Sequence, residues 1–137
     1  RPFLFANLPF HARLRVGRIV SERIVEQGET IVQQGEIGDT LYVVVQGTVT
    51  VVVDGTEVAK LTEGEHFGEL ALVDDQPRSA TIVAQERTHL LSIERNALRE
   101  YCVMEPAVGN VIVWKLLASL ANRLRNTNQM MTNERIS

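Results

Sequence analysis

Three residues within eleven positions could do joint chemistry: Gly68, Glu69 and Arg78. They lie in residues 67–81, Phe-Gly-Glu-Leu-Ala-Leu-Val-Asp-Asp-Gln-Pro-Arg-Ser-Ala-Thr. Gly68 lets backbone approach a ligand closely, because no Cβ intervenes. Glu69 can accept from sugar hydroxyls, as an acidic residue does on the ribose of dinucleotides. Residues 70–73 are apolar and can form one short helical turn with its N-terminal amides toward an anion. Arg78 offers a planar guanidinium fork that matches phosphate oxygens. Together these groups suit a small ligand with one phosphate and one sugar. The alternative is an exposed hairpin in which Glu69 and Arg78 are solvated or paired with each other.

Other chemistries find little support. His11, His66 and His89 are scattered, and none stands at metal-ligand spacing from the single cysteine, Cys102. His66 reads as a turn residue at the rim of a pocket, not a base. Cys102 falls on an expected helix and reads as a packed thiol. Asp74 and Asp75 could hold a cation, but adjacent loop carboxylates are ordinarily solvated. No nucleophile motif, phosphate-binding P-loop or dinucleotide fingerprint occurs. The chain is therefore not expected to be an enzyme, to hold a metal or to need a cofactor.

The elements that must position the segment follow from pattern. The chain has 137 residues, enough for a single domain with a real core. Its apolar share of 45% and charged share of 23% are those of an ordinary globular protein. A net charge of −3 gives no electrostatic case for nucleic acid or anionic membrane. One cysteine excludes an internal disulfide, so a reducing, cytoplasmic compartment is expected. No signal peptide or membrane-spanning run is visible. The first residue is Arg1 and not methionine, so an output domain elsewhere in a longer protein is expected.

Residues 1–20 read as an apolar arm and a short helix opened by Pro9, with His11, Arg13, Arg15 and Arg18 outward. From residue 21 the period becomes two. Strands are expected at 23–26, 30–33, 40–45, 49–53, 57–61, 81–83 and 89–93, separated by glycine turns. Asp54-Gly55 signals a tight hairpin. The runs Val43-Val44-Val45 and Val51-Val52-Val53 are apolar on both faces, so a helix or a pocket must cover the side away from the core. A short helix is expected over 94–100, with Arg95, Arg99 and Glu100 outward. Pro106 then opens a long helix toward Ser137. Val113, Leu117, Leu120, Leu124, Thr127 and Met131 form a heptad seam on it. Asn110, Trp114, Ala118, Ala121 and Arg125 form a second stripe, so the helix could dock on its own domain and on a partner at once. The alternative is one wide core-facing stripe in a monomer.

Residues 67–72, Phe-Gly-Glu-Leu-Ala-Leu, followed after five residues by Arg78-Ser79-Ala80-Thr81, resemble the phosphate-binding cassette of cyclic nucleotide-binding domains. These domains occur in bacterial catabolite activator protein and in the regulatory subunit of cyclic-AMP-dependent protein kinase. Gly28, Gly35, Gly38-Asp39, Leu41-Tyr42 and Gly47 resemble the turn pattern of the same family, so the likeness runs from about residue 8 to about residue 128. It implies a mainly β fold: an antiparallel, jelly-roll-like β-roll over 21–93, a short N-terminal helix before it and C-terminal helices over 94–137.

The resemblance also implies roles. Arg78 and the amides of Ala71 and Ser79 would hold a cyclic phosphate. Glu69 and the backbone of Gly68 and Leu70 would hold the ribose 2′-hydroxyl. Val51, Val58 and Ala59 would wall the base, and Thr127 and Asn128 would cap it. Asn128 stands where catabolite activator protein has serine, which leaves the base preference open. Arg123 matches a position that braces the cassette glutamate, so an Arg123–Glu69 contact is expected. The implied ligand is cyclic AMP, with cyclic GMP as runner-up. Family members that prefer cyclic GMP often carry threonine after the cassette arginine, and Ser79 also offers a hydroxyl, but bacterial cyclic-AMP sensors carry serine there too. The implied device is a sensor that signals through its long helix as a homodimer. A ligand-free dimerisation module is the other class of function.

Overall fold

The structure, a computed structural model, describes residues 17–136, with side chains as far as Arg125. The expected arm and helix at 1–16 lie outside the described residues, and 17–19 form a turn. Eight strands follow: β1 (Ser21–Val25), β2 (Thr30–Val32), β3 (Thr40–Gln46), β4 (Val49–Val53), β5 (Thr56–Leu61), β6 (His66–Phe67), β7 (Thr81–Ala84) and β8 (Thr88–Glu94). They form two four-stranded antiparallel sheets, ordered β1-β8-β3-β6 and β2-β7-β4-β5. Helices α1 (Arg95–Met104) and α2 (Pro106–Ile136) follow the strands among the described residues. This is the mainly β, antiparallel architecture that the turn spacing predicts, in the jelly-roll-like form that the resemblance implies.

β3 shows why its valines are apolar on both faces. Successive side chains of a strand point to opposite sides. Leu41 and Val43 join Ile93, Leu98, Tyr101 and Ile112 in a core between the first sheet and the helices. Val44 joins Val25, Ile31, Val49, Phe67, Ile82 and Leu90 in a second core between the sheets, with Tyr42 packed against it. The hairpin at Asp54-Gly55 turns with positive φ at both residues, 50° and 80°. That geometry is the primed turn whose twist matches the strands.

His66 departs from its expected place in a turn. It lies in β6 opposite Val43 and is buried. A two-residue strand carries no periodic signal, so only the ladder with β3 creates it.

Pro106 starts α2 where a missing N–H costs nothing. With 31 residues, α2 is about 46 Å long at about 1.5 Å per residue. Its roll-facing stripe is neither of the two expected. Gly109 and Ile112 are buried, and Val108 and Leu116 pack on the helix-side core. The seam residues Val113, Leu117 and Leu124 are exposed, and so are Trp114, Ala118 and Ala121 of the second stripe. A single wide core-facing stripe is therefore not what forms. The docking register is set by the α1–α2 elbow, where a Cβ on Gly109 would meet Cys102 Sγ at 2.7 Å and Cys102 Cα at 2.9 Å. Burial also pushes the Cys102 thiol up in pKa, consistent with a packed, unreactive group.

Gly109→Ala should therefore force the helices apart. Overpacking of this kind costs about 1–3 kcal/mol, which urea unfolding of the variant against the parent chain measures.

Candidate ligand-binding site

The cassette begins where β6 ends. Gly68 has φ 87° and caps a single 3-10 turn over Glu69–Leu72. A left-handed residue is needed there, and a side chain would also have no room. A Cβ on Gly68 would meet Arg78 Nη1 at 2.6 Å and the Thr40 carbonyl oxygen at 2.8 Å. A Cβ on Gly38 would meet Arg78 Nη2 at 2.7 Å and Nε at 2.9 Å. The guanidinium of Arg78 thus lies between two glycines from different loops. Its Nη2 donates to Thr40 O at 2.9 Å. Its Nη1 is buried and has no hydrogen-bond partner among the described residues.

The backbone holds Arg78 from the other side. Arg78 N donates to Glu36 O at 2.7 Å, and Gly35 N donates to Arg78 O at 2.9 Å. Ile37 and Pro77 form an isolated antiparallel bridge beside them. The loop between β2 and β3 is therefore the mould in which the cassette arginine is cast. Gly38 reads in the sequence only as a turn residue, and its function as space for Arg78 is a tertiary fact.

Glu69 is only 8% exposed, an expensive place for a carboxylate without a partner. Its partner arrives from α2. Arg123 Nη1 donates to Glu69 Oε1, and Nη2 donates to the His66 carbonyl oxygen. The expected Arg123–Glu69 contact is formed, and it ties the long helix to both β6 and the cassette. His66 has its pKa lowered, mainly by burial; nearby Arg123 adds to the effect, while Glu69 and Glu65 oppose it.

The remaining expected residues fall as follows. Leu70 is exposed, Ala71 is buried and Ser79 is exposed. The Ala71 amide, expected to face an anion, donates to Gly68 O at 3.1 Å within the turn. Val51 packs toward the inter-sheet core and lies opposite Ala59, so the two share one face of β4–β5. Val58 sits at the register shift of that ladder and is 57% exposed. Thr127 and Asn128 lie in α2, but their side chains are outside the described residues.

Asp75 is 75% exposed, as a solvated loop carboxylate should be. Helical spacing puts Arg95 outward, and here the structure differs. Arg95 instead folds back over the cassette. Its Nε donates to Ala71 O at 2.7 Å, its Nη2 donates to Asp74 O at 2.9 Å, and its Nη1 lies 2.7 Å from Asp75 Oδ1. One local signal existed. Arg95 is the first residue of α1, where the positive end of the helix dipole disfavours a cation. An arginine there needs an acceptor elsewhere.

Residues 22–104 match the model of the cyclic nucleotide-binding domain. The chain belongs to this family. A cyclic-AMP-dependent protein kinase regulatory subunit from Yarrowia lipolytica is 40% identical over 98 residues, covering 72% of the chain and 26% of that protein. A cyclic-GMP-dependent protein kinase from Plasmodium berghei is 51% identical over 71 residues, covering 52% of the chain and 8% of that protein. The chain thus spans about a quarter of one relative and under a tenth of the other. Among solved structures, Thermus thermophilus catabolite activator protein superposes with a TM-score of 0.81 at 33% identity, covering 94% of the chain and 61% of that protein.

In this cyclic nucleotide-binding domain the geometry offers a guanidinium donor, a buried carboxylate and a partly open apolar wall. No helix among the described residues is long and apolar enough to cross a membrane. No group of three or more His, Cys, Asp or Glu side chains among them could hold a metal ion.

The lowered pKa of His66 has a thermodynamic consequence. The folded chain holds the imidazole neutral, so the unfolded chain binds the extra proton first. Stability attributable to His66 is complete above the ordinary value of 6.5 and is lost as pH falls below it. Thermal unfolding from pH 8 to pH 5 should show this decline, and His66→Gln should flatten it.

Proposed function

We propose that the chain is a reversible cyclic AMP sensor that signals through α2 to an output domain or partner. The single observation that carries the reading is the Arg78 guanidinium held between Gly38 and Gly68 with Nη1 unpaired. A buried donor without an acceptor is costly, and an anionic oxygen is the group that relieves it. In this reading Arg78, helped by the backbone at Ala71 and Ser79, holds the cyclic phosphate. Glu69 and the backbone of Gly68 and Leu70 hold the ribose. Val51, Val58 and Ala59 wall the base, with Thr127 and Asn128 as its cap from the long helix. Arg123 already joins that helix to Glu69, so a change at the ribose reaches α2 directly. A ligand that favours one of two helix positions shifts the population between them.

Cyclic GMP is the second reading. It is supported by the Plasmodium relative named for that nucleotide and by the hydroxyl of Ser79 beside Arg78.

Calorimetric titration with cyclic AMP, cyclic GMP and 5′-AMP tests the assignment. Cyclic AMP should bind tightest and 5′-AMP feebly. A charge-assisted hydrogen bond is worth about 1.5–3 kcal/mol, so Arg78→Ala should weaken binding by about tenfold to a hundredfold while leaving the chain folded. Equal affinity in the variant would remove the phosphate site from Arg78.

The exposed seam of Val113, Leu117 and Leu124 supports a homodimer formed along α2. Leu117→Glu should shift the chain to monomer in sedimentation experiments without unfolding it.

A further inference from the structure

We infer that Arg95 is a positioning residue for the ligand: it fastens the exit of the cassette turn to α1 so that the turn is ordered before the nucleotide arrives. The inference rests on the cyclic nucleotide reading above. Arg95 touches none of the groups assigned there to ligand contact through side chains. It acts through the cassette backbone.

The turn over Glu69–Leu72 is too short to hold itself. A single 3-10 turn has poor hydrogen-bond geometry and leaves its last carbonyls without helical partners. The bonds that close it are Ala71 N to Gly68 O at 3.1 Å, Val73 N to Leu70 O at 3.0 Å and Asp74 N to Leu70 O at 3.3 Å. Ala71 is buried and Leu72 packs on the helix-side core, but Leu70 and Val73 are exposed, so apolar burial holds the middle of the turn and not its exit. Arg95 takes the two carbonyls that follow, Ala71 O and Asp74 O, with Nε and Nη2 of one rigid fork. Its side chain is only 14% exposed and also pairs with Asp75 Oδ1.

The anchor is itself tied to the roll. Arg95 N donates to Asp39 O at 2.8 Å, and the same loop, through Glu36 O, takes the amide of Arg78. One loop therefore registers Arg78 and Arg95 together. Leu98 and Tyr101 then bury α1 in the core it shares with Ile112 of α2. Lysine cannot replace this fork, because one ammonium cannot span two carbonyls and a carboxylate in a fixed plane.

A site whose competent form is populated only part of the time binds more weakly by that fraction. Loss of the latch should therefore appear in association and not in dissociation. Stopped-flow binding of cyclic AMP tests this well below the thermal midpoint, on the parent chain and on Arg95→Ala, Arg95→Lys and Asp75→Ala. The association rate is expected to fall about tenfold in Arg95→Ala, with the dissociation rate within about twofold of the parent. Arg95→Lys should fall between them. Asp75→Ala should stay within about threefold, because the Asp75 side chain is 75% exposed and its charge is screened by water. In the absence of nucleotide, hydrogen exchange at the Val73 and Asp74 amides should speed up in Arg95→Ala and stay unchanged at β3 and β8. Parent-like association and exchange in both Arg95 variants overturns the inference alone. A parent chain that binds neither cyclic AMP nor cyclic GMP overturns the reading on which it rests.

Discussion

A guanidinium between two glycines is the constraint on which the rest of this site depends. Arg78 must come close to two backbone segments at once, and neither can carry a Cβ there. Gly38 belongs to the loop before β3, and Gly68 to the turn after β6. The pairing of β3 with β6 brings the two together, and the Thr40 carbonyl at the start of β3 takes one of the donors. The antiparallel roll is thus more than a scaffold beneath the cassette. Its strand order decides where a single positive charge can stand.

Two further arginines extend that arrangement to the helices. Arg123 reaches from α2 to Glu69 and to the backbone of β6. Arg95 reaches from α1 to the far end of the same turn. The cassette is therefore gripped at its first residue by one helix and at its exit by another. The α1–α2 elbow packs those helices tightly against each other, with Gly109 against Cys102. Burying Glu69 would be costly without Arg123, so the position of the long helix and the ionic state of the pocket are one equilibrium. Charge pairing of this kind links a small pocket to a helix about 46 Å long.

Much of this is legible in the sequence alone. The seven longer strands announce themselves by β-branched alternation and glycine turns, and their observed bounds differ from expectation by a residue or two. The Asp54-Gly55 hairpin and the start of α2 at Pro106 are local chemistry, so sequence alone predicts them. The cassette was legible because its glycine, carboxylate and arginine lie within eleven positions. β6 was not, since two residues carry no period. The inward turn of Arg95 was missed because helical spacing placed it on an outer face, while its acceptors are backbone carbonyls twenty-odd residues away.

Sequence by itself therefore determined the fold class, the order of its elements and the position of the cassette. Those are properties of local pattern: periodicity, turn chemistry and the spacing of a few functional groups. Tertiary structure alone decided which stripe of α2 packs on the roll, that His66 is buried, and that Gly38 yields its space to Arg78. Each of these depends on contacts between residues far apart in the chain. A heptad seam shows that a helix face is apolar, but not which surface it meets. The elbow at Gly109, the burial of Ile112 and the reach of Arg123 to Glu69 settle that register.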